Sequence, residues 1–379
     1  MAKVLLVELT ARWLRAWFTS GAIAVQPVCL QDNSFRVPLA ITRTGRLWQL
    51  GWPAWKRHRQ EPRQVLCDFL PELSPRQIWY PGGKRLTTRQ LVQLVAEILR
   101  PHGQQAGRSV LLVPAYLQRE QAAFLVRELQ AAGIPAPIAL WQDQVWLAAG
   151  LVEGIPAGVL CLVDVDDWGC LITSGQIQSG EVYVGQRECL RELGRRVWLE
   201  RVMLAASEVA IRDFRRDPRR TPLADQCLYE QIEAHWASLT QHRHTLSITI
   251  PDFHCRLTLT PGLVRQSCLT LAQQSARAVA KFVASLHQQA MSEVWLTARA
   301  AELPMFFRQV YEALRFSQMV RNLREESYLA AALWLAENPS VSEICPHQLP
   351  VPDGDWSRLP RKQVNADSPQ AIPADSGQH

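Results

Sequence analysis

One order of elements occurs twice along this chain, and that repetition leaves few architectures open. Short apolar runs at residues 3–9, 12–18 and 22–28 lack helical spacing and read as an opening β-meander. Residues 35–41 and 46–50 read as further short strands about the Thr44-Gly45 turn, and 52–59 as the start of a helix. Residues 87–99 carry helical spacing, with Leu91, Leu94, Val95, Ile98 and Leu99 on one face, Thr87 or Thr88 as N-cap and Pro101 as the stop. A strand at 110–113, a helix at 118–132 closed by Gly133 and a strand at 138–140 form a β-α-β run, the signature of an α/β fold. A helix at 142–151 follows. From Gly158 the pattern restarts, with strands at 159–165, 171–177 and 181–184, so the two halves meet near residue 155.

The second half continues with a helix over 190–214, which the run at 212–220 ends at Pro218. Five arginines in that run are interleaved with Asp213 and Asp217, which reads as a solvated helix end rather than a nucleic-acid patch. A helix at 227–239, a hairpin at 245–250 and 254–259 about Pro251-Asp252, a long helix at 263–286, a strand at 294–297 and a helix at 303–314 complete the half. Beyond Glu337 the chain is rich in Pro, Asp, Ser and Gln and reads as a disordered tail over 338–379.

Composition excludes several classes. A chain of 379 residues exceeds the ~250–300 at which single cores stop growing, and 47% hydrophobic residues supply a large one. A net charge of +6 is too dilute for a dedicated nucleic-acid binder, and lysine stands only at Lys3, Lys56, Lys84, Lys281 and Lys362, leaving few phosphate-gripping candidates. The nine cysteines form no C-x-x-C pair, so neither a disulfide framework nor a zinc signature is expected. No apolar run suits a signal peptide or a transmembrane segment, which places the protein in the cytoplasm. The fourteen tryptophans are expected mainly in the core, with any exposed ones marking a protein-partner surface.

Three stretches in order resemble the ATPase domain of the DnaK-type seventy-kilodalton heat-shock chaperones, in the actin-like superfamily. Residues 110–121, reading V-L-L-V-P-A-Y-L-Q-R-E-Q, with Ala131-Ala132-Gly133, are similar to that family's strand, V-P-A-Y turn and helix ending in A-G. Val37-Pro38, Thr44-Gly45, Leu50-Gly51 and Glu61-Pro62 resemble its I-P-S, D-G, V-G and N-P landmarks, and residues 84–91 the lead into its long helix. The resemblance spans about 3–315. It implies a two-lobed actin-like α/β fold, each lobe a ribonuclease-H-like mixed sheet flanked by helices. Lobe I would be 1–155 and lobe II 156–337, with a smaller helix-hairpin subdomain at about 213–262. The family's central cleft takes ATP and Mg²⁺.

The functional positions depart from that pattern. The first phosphate loop, D-L-G-T-T in the family, matches Glu8-Leu9-Thr10-Ala11-Arg12, and the second, D-L-G-G-G-T, matches residues 164–169, where two further carboxylates and a tryptophan replace glycines. The adenosine turn matches 298–304, where only Pro304 survives, and the adenine-side helix keeps Glu233 but has Trp236 and Ala237 for its basic contacts. The catalytic lysine falls near Leu70, and the glutamate before the lobe-crossing helix at Trp141 or Gln142. What remains of a nucleotide cleft is Glu8, Thr10, Asp164, Gly169, Gly185 and Glu233, with Glu8 and Asp164 as the residual metal pair. Such a site has little means of stabilising phosphoryl transfer.

The expectation is therefore a pseudo-ATPase that works as a binding or scaffold protein, through its tryptophans or its cleft, with no cofactor. The alternatives are a divergent chaperone ATPase that still binds ATP and Mg²⁺, and an actin-like assembly protein of a membrane-associated machine. With only residues 338–379 beyond the ATPase-like part, the chaperones' substrate-binding domain is not expected here. Two other clusters have metal-ligand residue types: His242, His244, His254 and Cys255, which read as strand-edge residues, and Asp164, Asp166 and Asp167, which read as solvated turn aspartates.

Overall fold

The computed structural model describes residues 3–19, 25–154, 158–178, 181–240, 245–250, 255–286, 291–314, 319–337 and 348–350. The first half opens with β1 (Val4–Leu9), β2 (Trp13–Thr19), β3 (Val25–Pro27) and β4 (Arg36–Pro38), then the hairpin β5 (Ile41–Thr44) and β6 (Leu47–Leu50) and the single turn α1 (Trp52–Trp55). The short pair β7 (Ile78–Trp79) and β8 (Leu86–Thr87) leads into α2 (Thr88–Gly103), followed by β9 (Arg108–Val113), α3 (Arg119–Ala131), β10 (Pro137–Trp141) and α4 (Gln142–Val152). Thr87 closes the start of α2 in a capping box with Gln90, as its sequence requires. The helix does not stop at Pro101 but runs two residues further. A proline in the last turn forfeits one hydrogen bond without displacing what precedes it.

The second half repeats this opening as β11 (Gly158–Val165), β12 (Cys170–Gln178) and β13 (Glu181–Leu190). Next come α5 (Arg195–Phe214), α6 (Pro222–Ala234), α7 (Trp236–Thr240), the hairpin β14 (Leu246–Ile250) and β15 (Cys255–Leu259), and α8 (Pro261–Ser285). It closes with β16 (Met291–Leu296), α9 (Ala298–Ala301), α10 (Phe306–Ala313), β17 (Met319–Asn322) and α11 (Glu325–Glu337), with β18 (Gln348–Pro350) beyond. α5 ends at Arg215, whose left-handed φ of 58° breaks the helix three residues before Pro218, where the stop was expected. The sequence expectation missed β17 and α11. The tail read as disordered from 338 contributes β18, which pairs antiparallel with β13 at residues 181–183.

The two main sheets share one strand order and one pattern of directions. The first runs β3-β2-β1-β9-β10, with β4 also on β2, and the second runs β13-β12-β11-β16-β17. In each, the opening three strands are antiparallel and the next two join the first in parallel. Period-2 alternation divides the central strands between cores. Leu5, Val7 and Leu9 of β1 pack with α2 and α3, whereas Val4 and Leu6 face the opposite way. There they meet Leu160 and Leu162 of β11, together with α4 and α11, in one shared core. Trp295 lies in that core against Gly150 of α4, where a Cβ would come 2.1 Å from the indole ring. Trp146 stacks on Tyr328 at 4.3 Å between ring centres.

A second shared core forms on the other face of β11, with Cys161, Val163 and Val165. Trp13, Ala54, Trp55 and Val65 of the first half join Trp198, Leu228 and Tyr229 of the second. Among the described residues no helix is long and apolar enough to cross a membrane.

Candidate functional site

The β1–β2 and β11–β12 turns, placed at corresponding ends of the two sheets, come together. The Ala11 N–H donates to Asp166 Oδ2 at 3.3 Å, and the Tyr116 hydroxyl donates to the same oxygen at 2.8 Å. Asp166 Oδ1 accepts from the backbone N–H groups of Trp168 and Gly169, so this aspartate closes its own turn. Burial pushes its carboxyl up to about 6, against the opposing pull of Arg299 and the Tyr116 hydrogen bond. Gly194 seals the back of the turn: a Cβ there would lie 2.7 Å from the Gly169 nitrogen, so only glycine lets α5 start this close.

The candidate carboxylates Glu8, Asp164 and Glu233 are all engaged by side chains of the chain itself. Glu8, 1% exposed, takes Arg15 at 2.5 Å and a longer bond from the Tyr328 hydroxyl, with the Arg299 guanidinium 3.6 Å away. Burial would raise the Glu8 carboxyl, but Arg15 and Arg299 outweigh it and hold it below the ordinary value. Asp164 accepts from the Thr297 hydroxyl at 2.6 Å and pairs with Arg299 at 2.5 Å. Arg299, whose charge these carboxylates hold despite burial, also reaches Gln142 at 3.0 Å. Residue 299 comes from the short turn after β16, so a single guanidinium bridges the metal pair expected from the sequence.

Further out, Arg195 joins Asp167 at 3.3 Å to Glu233 at 3.0 Å, and Arg36 of the first half lies 3.7 Å from Glu233. Arg12 pairs with Asp68 at 2.8 Å and donates to the Tyr229 hydroxyl at 3.2 Å. Arg59 reaches across to Asp225 at 2.6 Å and Glu200 at 2.7 Å. Buried or half-buried pairs of this kind contribute little net stability, because each charge loses hydration on entering the site, yet removing one partner is costly.

Several expectations are corrected here. Asp166 and Asp167 are not solvated; both are buried, one in its turn and the other on Arg195. Thr10 spends its hydroxyl on the β1–β2 turn, accepting from the Trp13 N–H at 3.0 Å. Gly169 has a packing reason to be glycine, since a Cβ would meet Cys189 Sγ at 2.9 Å. Gly185 is not a cleft position: it sits in mid-β13 at the irregularity opposite Ser174, roughly 15 Å along the strand from the turn. Glu233 is buried and held by Arg195, with Arg36 of the first half 3.7 Å away.

No described tryptophan is in the exposed class, so an exposed-tryptophan partner surface is not found among the described residues. Trp13, Trp52 and Trp55 instead cluster at the junction of the halves. His242, His244 and His254 lie outside the described residues, as does the Cys255 side chain. Among the described residues no group of three or more His, Cys, Asp or Glu side chains is placed to hold a metal ion.

Sequence reasoning found the carboxylates and missed the arginines. Arg299 lies within the 298–304 stretch, and the available signal was a cation there beside carboxylates at Glu8 and Asp164 in two other segments. Comparison with models of known protein families and with curated protein sequences returns no match.

Proposed function

We propose that this chain is a non-catalytic relative of the chaperone-type ATPase domains: a two-lobed actin-like protein whose cleft is closed by its own side chains and which works as a binding or scaffold protein. The shared strand order and directions of the two sheets support the fold reading, because a duplicated meander followed by two parallel strands is what two ribonuclease-H-like lobes require. The observation that carries the functional reading is Arg299. Its guanidinium lies between Asp164 and Glu8, where a nucleotide-bound cation would need both carboxylates. A polyphosphate entering there would also meet Asp166 and Asp167, which hold negative charge or polar bulk where a phosphate loop presents bare N–H groups.

The partner would meet the outer surface rather than the cleft, since Trp13, Trp55 and Tyr229 fill the junction with the chain's own aromatic rings. Titration calorimetry of the whole protein with ATP and Mg²⁺ tests the reading. The expected result is no saturable binding at millimolar nucleotide. Low-micromolar binding that Asp164→Ala abolishes would overturn it in favour of a divergent ATPase.

A further inference from the structure

The junction of the halves contains a histidine in an environment that only its neutral form suits. His58 follows α1 and stacks on Trp55, with ring centres 4.3 Å apart and planes at 17°. Its edge meets Tyr229 of the other half at 4.9 Å. His58 Nδ1 lies 2.6 Å from the Trp55 carbonyl oxygen, and because a carbonyl can only accept, Nδ1 carries the proton. Nε2 is then a bare lone pair, and it is buried without a hydrogen-bond partner.

The charges around the ring oppose a second proton. Arg12 comes from the β1–β2 turn and donates to the Tyr229 hydroxyl; Arg59 lies over the Tyr229 ring at 5.0 Å. Asp68 is the acidic group facing His58 from its own half, and both of its oxygens are taken by Arg12 and Arg196. On the other half, Asp225 of α6 and Glu200 of α5 are held by Arg59. A proton on Nε2 would therefore add a third cation beside two arginines, with a buried N–H that has no acceptor.

We propose that His58 is a protonation-sensitive latch between the two halves. Neutral, it completes the Trp55–Tyr229 stack and the halves stay closed; protonated, it leaves the stack, and the 52–68 segment separates from α5 and α6. The device needs no nucleotide and stands whether or not the cleft binds one.

Burial, assisted by Arg12 and Arg59 against the Trp55 hydrogen bond, lowers the closed-state value to about 4, from 6.5 for an unhindered histidine. A depressed value means that the contribution to closure is fully present above pH 6.5 and is lost as the pH falls through 4. These two values raise the open-to-closed ratio about 30-fold between pH 8 and pH 5, with a limit of about 300-fold.

Hydrogen exchange of the full chain reads that ratio, once the intrinsic pH dependence of amide chemistry is removed. Protection of α1 and α6 amides should fall about 30-fold from pH 8 to pH 5, while amides of β9, in the centre of the first sheet, stay unchanged. His58→Phe keeps an aromatic ring in the stack and should abolish the fall. Wild-type protection that changes less than about threefold, or a His58→Phe variant that follows the wild type, would overturn the proposal. If that variant does not fold, direct NMR titration of the His58 ring in the wild type decides: an ordinary midpoint near 6.5 in the closed protein refutes the latch.

Discussion

Replacing Arg299 with methionine tests the internal neutralisation of the cleft. Methionine keeps much of the length and apolar stem but no charge. Asp164 would retain the Thr297 hydroxyl at 2.6 Å and lose its cation, while Glu8 would keep Arg15. Removing one partner from a buried ion pair costs about 3–5 kcal/mol, because the remaining charge is left uncompensated. Arg299 is 18% exposed and Asp164 7%, so water relieves part of the penalty, and a loss of about 3 kcal/mol is expected. Asp164→Asn alone should cost less, since Arg299 keeps Gln142 at 3.0 Å and Glu8 at 3.6 Å. The double variant has no orphaned aspartate and should recover about 2 kcal/mol relative to the sum of the singles. Urea unfolding of the four proteins gives the coupling directly. A loss below about 1 kcal/mol for Arg299→Met, or a coupling within about 0.5 kcal/mol of zero, would refute the claim that this guanidinium takes the place of a cation.

Two further expectations concern packing and pH. Gly150→Ala would place a Cβ 2.1 Å from a Trp295 ring that is tied by its N–H to Glu293 at 2.8 Å, so overpacking of about 1–3 kcal/mol should lower the melting temperature, with partial recovery when Trp295→Leu is added. Asp166, raised to about 6 against an ordinary 3.8, favours the folded state most below pH 3.8, and that contribution is lost as the pH rises through 6. Asp166→Asn should therefore gain stability relative to wild type, on the order of 2–3 kcal/mol, between pH 4 and pH 8 in paired denaturation curves. A difference that stays flat with pH would show that Asp166 titrates normally.

The legible parts of this chain were those that local chemistry decides alone. Short, nearly unbroken apolar runs at residues 4–9 and 159–165 marked the central strands, and Thr87 or Thr88 ahead of a helical spacing marked the start of α2. The missed elements depend on neighbours. α11 is buried along nearly its whole length, so its apolar residues show no amphipathic face, and β17 is four mostly exposed residues whose strand character comes from pairing with β16. In the site, residue type revealed which carboxylates are present but not which side chains engage them. Arg299 and Asp164 lie 135 residues apart, and no local pattern joins them. Gly194 was overlooked for the same reason, because its requirement is set by the Trp168–Gly169 backbone beyond the strand that precedes it.

The core shared by β1, β11, α4 and α11 bears on how the molecule comes apart. Length alone invites the picture of two modules that fold one after the other, yet Val4 and Leu6 are buried against the same apolar cluster as Leu160, Leu162 and Trp295. Arg108 of the first half also bonds to the Ala336 carbonyl, within the last described turn of α11, at 2.6 Å. The first half packs one face of its sheet against its own helices, but the Val4 and Leu6 face stays uncovered until β11 and α11 are present, so during synthesis that face waits for residues 325–337 to emerge. The two repeats thus share part of their interior, and the last described helix is the piece that completes the first strand.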